Sequence, residues 1–255
     1  MSKLMTTLFG GLIAYGGFTV ITNSSSMNKM VNLAVSLLKN KFELKELDAG
    51  EFKKIVLKKI LPFYSKLYTI KNFGTVCVLT LNIGIMSLIT ININCFCKDL
   101  PQMTFDVIFM LNKRIIFFEI YDFMINKEDE KYKSFLKEIE EIQKKHSNLK
   151  EATTSSSWYI SYLSGTVKKS GNVLNDKQFL SILKEVMEVY IKYAEKVPEL
   201  NDDDIKKKIN YYKEFTDNLT KKGGVAINNF INGIGAEKTH EFLSKVFYGH
   251  FHYQK

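Results

Sequence analysis

The sequence predicts a protein of the α+β class, in which a sheet of consecutive strands is followed by a block of helices. Between residues 63 and 121, β-branched and aromatic residues are concentrated in successive short runs. Segments rich in Asn and Gly separate these runs, as expected for antiparallel hairpins. After residue 130, apolar residues recur at helical spacing. Strands and helices in separate blocks favour an antiparallel sheet over alternating βαβ units.

The first predicted element is an amphipathic helix over residues 27–41, where apolar residues recur at steps of three and one. Residues 42–45 alternate and predict an extended segment. The Lys-rich segment between Gly50 and Pro62 predicts one or two helical turns. Five strands are predicted next, over residues 64–70, 75–81, 85–96, 105–111 and 114–121.

The second half of the sequence predicts helices, each with an apolar stripe on one face. These helices cover residues 131–145, 176–196, 203–219, 225–231 and 236–247. We find no internal repeat and no Gly, Ser or Pro linker that would divide the chain. Residues 27–255 are therefore predicted to form a single domain.

Residues 1–26 form a separate segment, with Lys3 followed by a Gly-rich apolar stretch and a polar run. A basic start and a short apolar stretch are typical of a secretory or organelle-entry leader. A membrane anchor is the second interpretation, because the stretch barely reaches spanning length. An ordinary N-terminal arm is the third.

The charge of the chain is carried almost entirely by lysine. The 255 residues have a formal net charge of +9, and Arg114 is the only arginine among 36 basic residues. Lysine lacks the bidentate geometry that arginine offers to phosphates and bases, so we do not expect recognition of nucleic acid. The excess suits an acidic protein partner such as a small electron carrier, or it simply solvates the surface.

The cysteines and histidines do not predict a disulfide framework or a metal site. Cys95 and Cys97 lie two residues apart in an apolar run, and Cys77 leaves an odd count. The histidines are remote from the cysteines in sequence, so a second pair of metal ligands is missing. His250 and His252 are predicted to belong to an exposed tail.

Two stretches of the sequence resemble the ferredoxin-dependent bilin reductases. In the first, a strand leads to Asp99-Leu100-Pro101 and then to Phe105-Asp106, with the acidic residue five positions after the proline. The second is C-terminal, where an acidic link at residues 201–204 precedes a pair of helices. Residues 132–146 and 156–163 resemble the family's helix after the central hairpin and its segment beneath the pigment.

The resemblance implies a three-layer α/β/α sandwich with a central antiparallel sheet flanked by helices. It implies that biliverdin or a related linear tetrapyrrole binds between the sheet and the C-terminal helices. Reduced ferredoxin, an acidic protein, would supply the electrons, with no cofactor or metal bound in the enzyme. We expect a monomer, located in a plastid-type organelle if residues 1–26 are a leader and in the cytoplasm otherwise, with membrane contact only through that segment.

Asp106 is the principal candidate catalytic residue. It lies among large apolar residues, and desolvation there raises a carboxyl pKa toward the range that a proton donor needs. The alternative is an Asp on an edge strand that faces water. Asp202 is a second candidate, because some family members use an acidic residue in the corresponding link. Acidic residues at a helix N-terminus are also ordinary dipole complements.

Four residues are predicted to bind the substrate: Asn92, Trp158, Tyr159 and Lys168. The aromatic pair could stack on a planar pigment, although aromatic residues in such a segment also form core. Lys168 or Lys169 would replace the arginine that many family members use for a pigment propionate, with less geometric specificity.

Two departures from the family pattern favour a rival hypothesis. Ile89 stands where several members have a catalytic His, and Cys77 stands where they have a Glu. The first hypothesis is ferredoxin-dependent reduction of a bilin, coupled to protonation from Asp106. The rival is a non-catalytic relative that binds a tetrapyrrole or a protein partner. A member of the chlorophyll-breakdown branch of the same fold is a third possibility.

Overall fold

The computed structural model describes residues 3–153 and 157–253, with side chains except those of residues 3–20 and 225. Within these ranges, nine strands form one antiparallel sheet in the order β1-β3-β4-β5-β6-β7-β9-β8, and β2 also pairs with β3. The strands are β1 Leu44–Leu47, β2 Lys54–Leu57, β3 Leu61–Ile70, β4 Gly74–Asn82, β5 Met86–Cys95, β6 Gln102–Met110, β7 Lys113–Tyr121, β8 Lys150–Glu151 and β9 Leu163–Asn172.

Helices cover both faces of the sheet. They are α1 Lys3–Lys39, α2 Glu130–Lys145, α3 Asp176–Lys196, α4 Asp202–Lys222, α5 Val225–Ile234 and α6 Ala236–Phe242, which continues as a π-helical turn at Leu243–Phe247. The first three helices pack on one face with one hydrophobic cluster, and the last three pack on the other face with a second cluster. The predicted α/β sandwich with a central antiparallel sheet is confirmed.

The two-residue period of the strands assigns each side chain to one face. Ile89, Val107 and Ile116 are neighbours across three strands and are fully buried against the layer of α1, α2 and α3. The residues that follow them in the chain, Thr90, Ile108 and Phe117, therefore point toward the layer of α4, α5 and α6. Asp106 lies on this second face.

The five central strands and their hairpins agree with the prediction, but two neighbouring segments do not. The Lys-rich segment predicted as helical turns contains a 3₁₀ helix at Gly50–Lys53 and then strand β2. Strand β9 was not predicted, because its sequence is rich in Lys, Gly and Ser and contains few apolar residues. Only tertiary pairing with β7 makes this segment a strand.

The segment predicted as a leader or anchor is residues 1–26, and most of its side chains lie outside the described residues. The helix predicted from residue 27 begins at Lys3. Asn23 and Ser26 are buried, and they hydrogen-bond to the Gly84 carbonyl and the Asp176 carboxylate. Within the described residues, no helix has the length and apolar character needed to cross a membrane.

The loop between β5 and β6 is tied to both helical layers by buried polar contacts. Lys208 of α4 has no exposed surface, and its Nζ donates to the carbonyls of Leu100 at 2.6 Å and Phe123 at 2.7 Å. The Asp99 carboxylate lies 3.6 Å away. From the opposite layer, the Tyr190 hydroxyl donates to the Pro101 carbonyl at 2.9 Å. These contacts fix the spacing between sheet and helices.

We predict that Lys208→Met destabilises the fold by about 3 kcal/mol, because it leaves two buried carbonyls without their donor and removes the positive charge beside the Asp99 carboxylate. Urea denaturation followed by circular dichroism measures this change. Lys206→Met is the matched control, because Lys206 is exposed and forms its ion pair with Asp203 one turn away. Equal stability of Lys208→Met and the wild type would contradict a supporting role for Lys208.

Candidate functional site

Asp106 lies near the middle of β6, on the face of the sheet covered by α4, α5 and α6. It is flanked by Thr90 of β5 and Phe117 of β7. The Thr90 hydroxyl donates to Asp106 Oδ1 at 2.5 Å. Glu119, one step along β7 on the same face, points its carboxylate into the same region. The Asp106 side chain is partly buried, so it is held by protein on one side and reachable on the other.

Burial raises the pKa of Asp106 to about 7, because the charged form loses hydration. The hydrogen bond from Thr90 acts in the opposite direction, and the negative charge of Glu119 adds to the increase. A carboxyl group with this pKa is substantially protonated at neutral pH. It can therefore donate a proton and take another from water within one catalytic cycle.

Three tyrosines complete an acidic cluster around Asp106. The Tyr121 hydroxyl donates to Glu119 Oε2 at 2.8 Å. Tyr159 and Tyr248 are near enough that the charges of Asp106 and Glu119 raise their pKa values, in addition to the larger effect of burial. All three phenols are therefore neutral donors at physiological pH. We call Asp106, Glu119, Tyr121, Tyr159 and Tyr248 the acidic cluster.

The helices cover this face of the sheet unevenly. Over β3 and β4, the side chains of Leu67, Cys77 and Leu79 are fully buried. Over β5, β6, β7 and β9 the same face is only partly buried. Its partly exposed side chains include Leu88, Asp106, Ile108, Ile115, Phe117, Glu119 and Lys168. We call this region the open half of the sheet face. Small-molecule sites have a mainly apolar lining with a few placed polar groups, and the open half has this composition.

No protein-family model matches the sequence, and no curated protein does. The fold is similar to that of phytochromobilin synthase from tomato. The two structures agree with a TM-score of 0.72 over 88% of this chain and 83% of the tomato chain, at 12% sequence identity. The tomato structure is a complex with biliverdin. At this identity the similarity to phytochromobilin synthase shows the fold.

Three of the predicted residues lie on or beside the open half. Asp106 and Lys168 are on the same face, and Lys168 Nζ is 3.7 Å from Glu119 Oε1. Tyr159 belongs to a 3₁₀ helix at Trp158–Tyr162 that borders the acidic cluster. Residues 156–163 resemble the family's segment beneath the pigment, and the structure describes residues 157–163 of them.

Asn92 and Trp158 have partners that give them structural roles. Asn92 is fully buried, its Nδ2 donates to the Phe247 carbonyl at 2.9 Å, and its Oδ1 accepts from Thr104 and Gln102. Its amide is therefore occupied by protein instead of facing a substrate. Trp158 Nε1 donates to the Gly223 carbonyl at 2.9 Å, and its ring contacts Phe215. Both residues hold the C-terminal helices against the sheet.

Asp202, the second predicted catalytic acid, is exposed in the first turn of α4. It lines a surface depression with its neighbours Asn201, Asp203 and Lys206. The structure gives it the position of a helix-dipole complement, which was the alternative interpretation. It contributes nothing to the acidic cluster.

The two departures from the family pattern have different outcomes in the structure. Ile89 faces α1, α2 and α3, so it lies on the opposite side of the sheet from Asp106. Thr90 is the residue of β5 that faces Asp106, and a hydroxyl therefore occupies this position. Cys77 does share the face of Asp106, but it is buried beside Asn92, and burial raises the pKa of its thiol to about 12.

Four residues of the site were not predicted from the sequence: Thr90, Glu119, Tyr121 and Tyr248. A signal for Glu119 and Tyr121 was present, because two-residue alternation in β7 puts both on one face once the β6–β7 register is known. Tyr248 follows the π-helical turn, and no local pattern predicts its proximity to Asp106. Across the described residues, no group of three or more His, Cys, Asp or Glu side chains is placed to hold a metal ion.

The prediction that His250 belongs to an exposed tail is wrong. It is buried in a 3₁₀ helix at His250–Tyr253, and burial lowers its pKa to about 4. Tyr253 anchors this helix by donating its hydroxyl to the Gly74 carbonyl at 3.0 Å. His252 is exposed, as predicted.

We predict that the stability of Asp106→Asn, measured relative to the wild type, increases as the pH rises. The Asp106 pKa is higher in the folded state than in the unfolded state, so its stabilising contribution is complete at low pH and is lost as the pH rises through 7. The difference between variant and wild type should grow by up to about 4 kcal/mol between pH 4 and pH 8. Urea denaturation at several pH values measures it. A constant difference would contradict the raised pKa.

We also predict opposite effects of the two neighbours on the Asp106 pKa. Thr90→Val removes a hydrogen bond to the charged form and should raise this pKa, whereas Glu119→Gln removes a negative charge and should lower it. Carboxyl carbon chemical shifts, followed by NMR as a function of pH, report both changes. Shifts in the same direction for the two variants would contradict this account of the site.

Proposed function

We propose that the protein binds a biliverdin-like linear tetrapyrrole on the open half of the sheet face and reduces it with electrons from ferredoxin. The observation that carries the proposal is Asp106, a carboxyl group with a pKa of about 7 on a partly covered, largely apolar face. The fold similarity to a protein that binds biliverdin supports the same ligand class.

In the proposed reaction, reduction of one double bond requires two electrons and two protons. Ferredoxin delivers electrons singly, and each electron makes the pigment more basic. Asp106 then transfers its proton to the pigment, and Thr90 stabilises the resulting carboxylate through its hydrogen bond. Because Asp106 is partly exposed, water supplies the next proton.

The remaining polar groups have proposed roles in holding the pigment. Tyr159 and Tyr248 are neutral donors beside Asp106 and would bind the lactam oxygens. Lys168 is partly exposed on the same face and would pair with a propionate carboxylate. The exposed lysines would attract the acidic ferredoxin. If residues 1–26 are a leader, a plastid-type organelle is the proposed location.

One observation favours the alternative, a tetrapyrrole-binding protein without turnover. The residue that faces Asp106 on β5 is Thr90, whose hydroxyl does not ionise near neutral pH and so cannot act as a second acid. Protonation at two pigment positions would then rest on the carboxyl group of Asp106, its neighbour Glu119 and water.

We predict that adding biliverdin to the protein shifts the pigment's absorption spectrum, and that reduced ferredoxin then bleaches the shifted band. Asp106→Asn should keep the shift and lose turnover at least 100-fold, because the amide can bind but cannot donate a proton at neutral pH. Asp203→Asn, the same change at an exposed position of α4, is the matched control.

The outcomes separate the hypotheses. A shifted spectrum that never bleaches in the wild type supports the binding protein, and the absence of a shift rejects both. Unchanged turnover in Asp106→Asn rejects Asp106 as the donor. Asp202→Asn tests the second predicted acid: a loss of turnover matching that of Asp106→Asn would restore Asp202 to the mechanism despite its exposed position.

A further inference from the structure

One end of the sheet carries a concentration of exposed apolar side chains. This end is formed by the β2–β3, β4–β5 and β6–β7 turns and by the end of β9, and the exposed face of α1 adjoins it. Seven of the twelve large hydrophobic side chains exposed among the described residues lie here, with 37% to 87% of their surface accessible. They are Ile21, Ile60, Ile83, Ile85, Met110, Leu111 and Leu174. We call this set the tip surface.

Hydrogen bonds between the turns make most of the tip surface continuous. The Leu111 amide donates to the Ile85 carbonyl at 2.8 Å, which joins the β6–β7 turn to the β4–β5 turn. The Val173 amide donates to the Asn112 carbonyl at 3.1 Å and brings the Leu174 segment alongside. The Asn23 side chain donates to the Gly84 carbonyl and attaches α1.

The opposite end of the sheet has a different character. There the β3–β4 turn exposes Lys71 and Asn72, whereas its apolar residue Phe73 is fully buried. The exposed apolar residues of the tip surface are therefore a property of one end of the molecule. Contiguous exposed apolar patches on soluble domains generally mark a contact surface.

Leu111 has an unusual backbone conformation. It occupies the left-handed region at φ 51°, where a bulky side chain is strained and Gly or Asn is preferred. Its carbonyl accepts from Arg114 Nη1 at 3.0 Å, and the same guanidinium donates to Asp176 at 2.9 Å. A buried arginine thus holds a turn that presents a leucine outward.

The surroundings of the tip surface indicate what covers it. Lys58, Lys59, Lys113 and Lys177 are exposed around it. Residues 4–28 contain no charged side chain, and residues 3–20 precede Ile21 in the same continuous helix. A second copy of the chain would bring these lysine groups against each other. Apolar side chains ringed by lysine match a lipid surface with anionic headgroups instead.

We propose that the tip surface docks onto an anionic lipid bilayer, with its apolar side chains in the interfacial layer and the surrounding lysines against the headgroups. This interaction is separate from the proposed reaction and does not require it. It orients the sheet with its strands pointing toward the membrane. The proposed contact therefore lies largely on the folded domain, beyond residues 1–26.

The test is cosedimentation of the full chain with vesicles made of equal parts phosphatidylcholine and phosphatidylglycerol. The wild type should bind, more weakly to phosphatidylcholine alone and more weakly in high salt. The variant I85S/L111N/L174S should bind at least about tenfold more weakly, because it removes three apolar contacts. Asn suits the backbone at position 111, so this change should not impair folding.

The control variant is I160S/Y211S/F251S, which removes three exposed apolar side chains outside the tip surface. It should bind like the wild type. Leu174→Ser alone, at the most exposed of these positions, should give a smaller loss and serves if the triple variant is less stable by thermal unfolding.

Three outcomes would overturn the proposal. Equal binding by the tip variant and the wild type would assign membrane affinity to residues 1–26 or to lysines alone. No binding by the wild type would exclude a lipid surface. A concentration-dependent dimer in light scattering, lost in the tip variant and with no vesicle binding, would show that a second copy covers the tip surface.

Discussion

The buried ammonium group of Lys208 is the contact on which the architecture most depends. Its hydrogen bonds attach α4 to the β5–β6 loop at the Leu100 carbonyl and to the segment after β7 at the Phe123 carbonyl, while Tyr190 attaches α3 to Pro101 from the other side. Both helical layers are therefore positioned from one short segment of the chain. An ammonium ion without solvent is stable only when such partners surround it. The height of the C-terminal helices above the open half of the sheet face follows from this arrangement.

Incomplete coverage of the sheet gives Asp106 two properties that normally oppose each other. Full burial would raise its pKa and isolate it from a substrate, whereas full exposure would leave it ionised at neutral pH. Here the carboxyl lies among apolar side chains, is held by Thr90 and faces a region that is only partly covered. Glu119 reinforces the effect because two carboxylates on one face resist simultaneous ionisation. A proton donor is thus produced without any titratable partner hydrogen-bonded to it.

The sequence predicted the architecture better than the site, for physical reasons. The central strands and the long helices have strong periodicity, and local patterns specify them. β9 has little apolar character, so only its pairing with β7 defines it. For the site, Asp106 was recognisable from its apolar neighbours. Ile89 lies one residue of register from Thr90, and a shift of one residue moves a side chain to the opposite face of the sheet. Glu119 and Tyr248 approach Asp106 through tertiary structure that no short segment encodes.

The near absence of arginine has a consequence for the chemistry of the molecular surface. Because Arg114 is buried, the permanent positive charges on the exposed side chains are all primary amines. Reagents or enzymes that acylate amines would neutralise this charge almost completely, whereas guanidinium groups would have resisted them. Lys208 has no accessible surface, so its amine would not react and would keep its hydrogen bonds. The protein could therefore lose its long-range attraction to anions while its interior remained intact.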